Sequence, residues 1–333
     1  SFNHAFSEHC WVLDKSMIDS EWSAFSVSIP RIEINQSSNQ EDNFSIVLSE
    51  NSPECCAFGK CSNCCTGDSC SSEKGYPVIL VHGHLAYNRN SPELVINSFS
   101  DMQSSMESIG YIPAGLLDLN VNVPPNDWGR STSPIAVRAS YYYISYYDLG
   151  FQTVESQKTD SIENYAIRLR EIVEEVKRRT GSDKVIIIAH SMGGLVAREY
   201  LLLFGEESVD KMITIGTPNK GIEGALVEIC PIFGSEKECS DMAKNSIFLK
   251  RLNDERNSPK SVRMYTIAAT GCNTYGKDGD GVVAADNVAL DFALNYRISG
   301  NCTDILKSNL HGMMLIPEEY PETFKIVSSI LRE

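Results

Sequence analysis

The run Val185-Ile186-Ile187-Ile188-Ala189-His190-Ser191-Met192-Gly193-Gly194 constrains this chain more than any other stretch. Its β-branched start reads as a short buried strand, and the residues from Met192 onward read as a helix. A strand that turns into a helix at a single serine has to bend sharply. Such a bend holds the serine in a strained backbone conformation, with its hydroxyl above the sheet. Strand and helix nearly touch there, so the residues two before and two after the serine must be small. Ala189 and Gly193 meet that need, with alanine where glycine is usual. The Met192 amide then offers a free N–H and the positive end of the helix dipole to a developing oxyanion.

A serine is a weak nucleophile until a histidine base, itself oriented by a carboxylate, takes its proton. With a nucleophile on this kind of turn, the chain order is serine, acid, histidine. The chain has six histidines, and only His311 follows Ser191 at a distance. It sits in Ser308-Asn309-Leu310-His311-Gly312, read as a polar loop before the last helix. His190 adjoins the serine, and neighbours on a tight turn point apart, so it is assigned a structural role. The acid is expected just past a strand read at 262–269, within Lys277-Asp278-Gly279-Asp280-Gly281. Asp280 is the first choice, Asp278 the second and Asp286 the third. The flanking glycines let the backbone turn and leave the Asp280 carboxylate free to reach an imidazole.

A second oxyanion donor is expected from a loop after an earlier strand. Pro77-Val78-Ile79-Leu80-Val81 reads as that strand and His82-Gly83-His84-Leu85 as the loop, with the backbone N–H of His84 as the donor. The His84 side chain is placed at the pocket mouth and given no chemistry.

Together, Val81-His82-Gly83, Ala189-His190-Ser191-Met192-Gly193-Gly194, Ile215-Gly216-Thr217-Pro218, Asp280-Gly281-Val282-Val283 and Leu310-His311-Gly312 resemble the lipase/esterase branch of the α/β-hydrolase superfamily. The resemblance covers roughly residues 75–333. It implies hydrolysis of carboxylic esters of fatty acids through an acyl-enzyme, with Ser191, Asp280 and His311 as the triad and no required cofactor. The same triad would serve an acyltransferase or a deacylase of phospholipids or glycolipids. Many bacterial lipases of this type hold calcium near the histidine loop, with an aspartate soon after the histidine. Here Gly312-Met313-Met314-Leu315 follows, so a structural calcium is not supported.

The formal net charge of −15 disfavours nucleic acid and anionic membrane surfaces as partners. It leaves open an apolar ester or a lipid–water interface. No apolar run reaches the roughly 20 residues of a membrane span. Eleven cysteines are many for a cytosolic enzyme, and six crowd between Cys55 and Cys70. Disulfides in an oxidising compartment are the favoured reading, with Cys230 paired to Cys239 and Cys272 to Cys302, and the protein is expected to be secreted. Cys61-x2-Cys64 also has zinc spacing, though no histidine lies near it.

Residues 1–74, rich in Ser, Asn, Glu and Cys, read as a small disulfide-rich N-terminal subdomain. Residues 75–333 read as an α/β domain, a mostly parallel sheet with helices on both faces. Strands are expected at 77–82, 112–119, 184–189, 211–216, 262–269 and 294–299. Helices are expected at 161–179, opened by a capping box from Asp160 to Glu163 and closed by Gly181, at 192–204 and at about 318–331. The strand–helix rhythm breaks at about 221–260, read as an amphipathic helical lid held by Cys230–Cys239. Tyr141-Tyr142-Tyr143-Ile144-Ser145-Tyr146-Tyr147 reads either as a strand packed on both faces or as the lining of an acyl pocket.

Overall fold

Short, wholly apolar runs such as Val78–Val81 can hide both of their faces only in the middle of a sheet covered by helices. The computed structural model describes residues 32–35, 45–48, 54–57, 60–63, 75–84, 97–117, 119, 133–148, 153–158, 161–233, 236–302 and 310–333. It places that run inside a seven-stranded sheet, next to the middle strand. The strands, in chain order, are β1 (Val78–Val81), β2 (Ile112–Leu117), β3 (Ile135–Ala139), β4 (Val185–His190), β5 (Val209–Ile215), β6 (Arg263–Thr270) and β7 (Leu294–Ser299). Their spatial order is β7-β6-β5-β4-β1-β3-β2, and every pair is parallel.

Alternate residues of the strands face opposite layers. Ile79, Val81, Val137, Ile187 and Met212 pack with α1 (Ile162–Thr180) and α2 (Met192–Phe204). Val78, Leu80, Ile186, Ile188 and Ile213 pack with the helix Ser100–Ser105 and with the C-terminal helix Pro321–Arg332. The apolar stripe expected along α1 is buried throughout, from Ile162 to Val176. Its cap is one residue later than expected: the Ser161 hydroxyl accepts the Asn164 N–H at 3.3 Å, while Asp160 lies outside the described residues. Gly181 closes the helix at φ 64°, as its place after the last apolar residue implied.

β3 escaped the sequence reading because Ile135-Ala136-Val137-Arg138-Ala139 is short and carries two alanines and an arginine, without the run of β-branched residues seen in β4. Between β5 and β6 lie three short helices, α3 (Ala225–Phe233), α4 (Glu236–Met242) and α5 (Ile247–Leu252). Cys230 and Cys239 form a disulfide joining α3 to α4, and Cys272 and Cys302 form another beside the ends of β6 and β7. Of the N-terminal stretch, the described parts are two antiparallel pairs, Ile32–Asn35 with Ser45–Leu48 and Glu54–Ala57 with Lys60–Asn63. The proposed pairing or metal use of the cysteines at 55–70 falls outside the described side chains.

Candidate active site

Ser191 stands between β4 and α2 at φ 51° and ψ −130°, a conformation that side-chain-bearing residues rarely adopt. What permits the turn is visible in two glycines. A Cβ on Gly193 would lie 2.1 Å from the His82 carbonyl oxygen, and one on Gly194 would lie 2.0 Å from the Thr217 hydroxyl. Ala189 on the strand side is fully buried. The Ser191 amide is anchored by donating to the Ile215 carbonyl at 2.9 Å. The Gly194 amide turns back to the Ser191 carbonyl at 3.0 Å, while the Met192 N–H opens the helix, where the leading amides have no intrahelical acceptor.

Immediately after Ile215 comes Gly216, at φ 58°. A Cβ there would sit tightly against His311 Nδ1 at 3.1 Å and the Asp280 carboxylate at 3.2 Å. The end of β5 is therefore the floor on which Asp280 and His311 meet. His311 Nδ1–H donates to Asp280 Oδ2 at 2.7 Å, with Asp280 wholly buried. The other carboxylate oxygen, Oδ1, accepts the Val282 and Val283 amides at 2.8 and 2.6 Å. The His311 amide donates to the Asp280 carbonyl at 3.1 Å, so backbone and side chain are both held. Asp278 is spent elsewhere, accepting the Gly271 amide, and Asp286 pairs with Arg297 at the surface.

His311 lies on a short helical turn, Leu310–Met313, and not on an open loop; residues 303–309 lie outside the described residues. His190, next to the serine, has the structural role expected of it. Its Nε2–H donates to the His311 carbonyl at 2.8 Å, and its ring lies 4.5 Å from the His311 ring. Burial, reinforced by the nearby His311, holds its pKa well below 6.5, so it is a neutral donor.

The loop after β1 lies against the serine: a Cβ on Gly83 would meet Ser191 Cβ at 2.8 Å. Three donors converge on the Gly83 carbonyl, namely His82 Nδ1–H at 2.8 Å, the Tyr141 hydroxyl at 3.2 Å and the Tyr142 hydroxyl at 3.4 Å. The peptide is planar and trans, so the His84 N–H points away from that cluster. His82 stacks on Tyr141 with centroids 4.3 Å apart, and burial depresses its pKa to about 4. Of the tyrosine run, residues 143–147 lie in a strand, as one of its two readings had it, and Tyr141 and Tyr142 stand outside it. They precede the strand Tyr143–Asp148 and clamp this loop, a role that no local pattern could have announced.

From the other side the His84 side chain reaches the helical insertion. Its Nε2–H donates to Glu238 Oε1 on α4 at 2.8 Å, and the Tyr165 hydroxyl donates to Oε2 at 2.9 Å. A ring nitrogen of His84 also lies within 4.8 Å of the Cys230 and Cys239 sulfurs. Among the described residues this is the group nearest to a metal-ligand set, but sulfurs joined in a disulfide are not thiolates and do not fit a metal.

Parts of the chain are similar to known proteins. Residues 129–229 match the family described as alpha/beta hydrolase fold. Phospholipase A(1) LCAT3 of Arabidopsis thaliana is 36% identical over 73 residues, which are 21% of this chain and 16% of that protein's length. The crystal structure of the product of the Listeria innocua gene lin2722 superposes with a TM-score of 0.50 at 14% identity, covering 78% of this chain and 94% of that one. The mature lipase BlEst2 of Bacillus licheniformis gives 0.46 at 17% identity, covering 75% and 92%. At 14% identity the Listeria structure speaks to the fold alone.

Proposed function

We propose that this chain, an α/β-hydrolase of the lipase/esterase branch, is a serine hydrolase that cleaves carboxylic esters of fatty acids. The observation that carries the reading is the Asp280–His311 bond at 2.7 Å, set against the edge of β5 beside a strained Ser191. His311 takes the serine proton as Oγ attacks the ester carbonyl, and Asp280 keeps the ring in the tautomer whose Nε2 is free to do so. The amides of Met192 and His84 hold the oxyanion. His311 then protonates the leaving alcohol, and water releases the acid by the same steps in reverse. These groups complete the reaction without a cofactor.

The insertion at 221–260 is read as a lid. Val227 and Leu226 on α3 are partly covered against the core, while Ile247 at the start of α5 is 88% exposed, an apolar rim suited to an acyl chain or a lipid surface. Two disulfides support an oxidising compartment and hence secretion. Among the described residues, no helix is long and apolar enough to cross a membrane. The likeness to a phospholipase A(1) favours a second reading, a phospholipid deacylase or acyltransferase using the same triad.

The test is hydrolysis of p-nitrophenyl esters of short, medium and long chains, followed by phospholipid vesicles and added alcohol acceptors. The Ser191→Ala variant should lose about 10⁵- to 10⁶-fold in kcat while staying folded. A folded wild type with no Ser191-dependent turnover on any of these would sink the reading.

A further inference from the structure

An oxyanion donor works only if its direction is fixed before the charge develops. The peptide that carries the His84 N–H is held at its carbonyl end from the sheet side, by His82, Tyr141 and Tyr142. At its amide end the next hold is the His84 side chain, and the group that takes it is Glu238. Glu238 lies 154 residues away on α4 and is 1% exposed, with each carboxyl oxygen accepting a hydrogen bond. Burying a carboxyl group costs free energy that an apolar residue of the same size would not. A residue that only filled space beneath the insertion would not need to be a glutamate.

Resting on the ester-hydrolase reading, we propose that Glu238 is a positioning residue that aims the His84 amide at the oxyanion. The Cys230–Cys239 disulfide is the staple that keeps it there. Cys239 is the next residue along α4, and the two sulfurs lie beside the His84 ring. Tyr165 on α1 steadies the second oxygen, so the carboxyl spans the fixed sheet layer and the insertion. Two consequences follow. Any displacement of α4 withdraws Glu238 from His84 and slackens the oxyanion hole. Removing the disulfide by replacing both of its cysteines with serine does the same, and leaves Cys272–Cys302 and the triad as they are.

The experiment measures two quantities on the whole protein: ester turnover, and the rate at which a fluorophosphonate labels Ser191. Labelling needs the nucleophile and the oxyanion hole but not the natural substrate. Glu238→Ala should lower kcat and the labelling rate by about 10- to 100-fold, less than deleting a donor outright, with KM within about twofold. Glu238→Gln, which keeps an acceptor for His84, should recover most of the loss. His84→Ala should match Glu238→Ala, and the double variant should be no slower than either single one. Cys230→Ser/Cys239→Ser gives the same direction without altering the carboxyl. Additive losses, a change confined to KM, or losses that track a lowered unfolding midpoint across the set would overturn the proposal. Fast labelling of wild type without ester turnover would defeat the substrate reading and leave the positioning role to be judged on labelling rates. Absence of labelling in folded wild type would defeat both.

Discussion

The two halves of the candidate site are built on different principles. The half formed by β4, β5 and α2 is a matter of close approach: Gly193 and Gly194 stand where a single added carbon would strike a neighbour, and Gly216 turns the chain at φ 58° tight against His311 and Asp280. The half formed by the insertion is a matter of distant polar ties, Glu238 to His84 and Tyr165, Arg198 to the end of α5, and one disulfide. Steric contact tolerates almost no substitution and fixes angles, while polar ties across long sequence separations can be broken and remade. On the proposed function, the first suits a turn that presents a nucleophile to within a fraction of an ångström, and the second suits a cover that admits substrate.

The comparison can be tested by attacking each half in turn. On the close-packed side, Asp280→Asn keeps the shape of the acid but offers His311 the wrong partner, and kcat should fall by about 10⁴-fold. Asp278→Asn and Asp286→Asn should stay within about twofold, being surface changes. Equal losses from Asp278→Asn would show that the acid had been misassigned. On the tied side, Arg198 is buried and donates to Asn219 at 3.0 Å and to the Leu252 carbonyl and Asn253 at 2.9 Å each. Arg198→Met leaves these acceptors bare and should cost about 3 kcal/mol in denaturant unfolding. A cost below about 1 kcal/mol, the worth of a surface tie, would mean that the insertion is held by packing alone.

Acid separates the halves further. His82 and His190 are neutral where they lie, with His82 held down to about 4 by burial and His190 well below 6.5 by burial and the nearby His311. Unfolded, both take up protons near 6.5, so their contribution is intact above that pH and is lost as pH falls through it. His82 alone should cost about 3 kcal/mol by pH 4. Urea midpoints should therefore drop steadily between neutral pH and pH 4, and His190→Asn should flatten the slope. A flat wild-type profile would show that these rings are protonated in place. The smallest effect concerns the turn itself. Ser191→Gly relieves a left-handed φ at the cost of a floppier unfolded chain, a net gain of about 1 kcal/mol in stability in an inactive protein.

The same division decides what could be read from the sequence. Ser191, its small neighbours and the strand beneath it are consecutive, so a local pattern reveals them. Asp280 was found because glycine on both sides marks a turn that frees a carboxylate. The apolar stripe of α1 shows at three- and four-residue steps, although its cap proved to be Ser161. Glu238 was invisible: in Glu236-Lys237-Glu238-Cys239 it looks like a solvated helix face, and only the fold brings it under His84. Tyr141 and Tyr142 are likewise explained by carbonyls some 58 residues away, at His82 and Gly83. Sequence shows contacts made along the chain, and these contacts are made across it.

The backbone at Ser191 has a consequence for descent. Glycine would sit more comfortably at φ 51°, so at this one codon mutation and thermodynamics pull together against the serine. Only the reaction opposes them. A lineage that stopped using the hydroxyl would gain stability by losing it, and would be expected to drift to glycine there while keeping Gly193 and Gly194, which the packing requires regardless. On the proposed function, a serine still standing at 191 is a record of continued selection for chemistry, one that the surrounding glycines cannot provide.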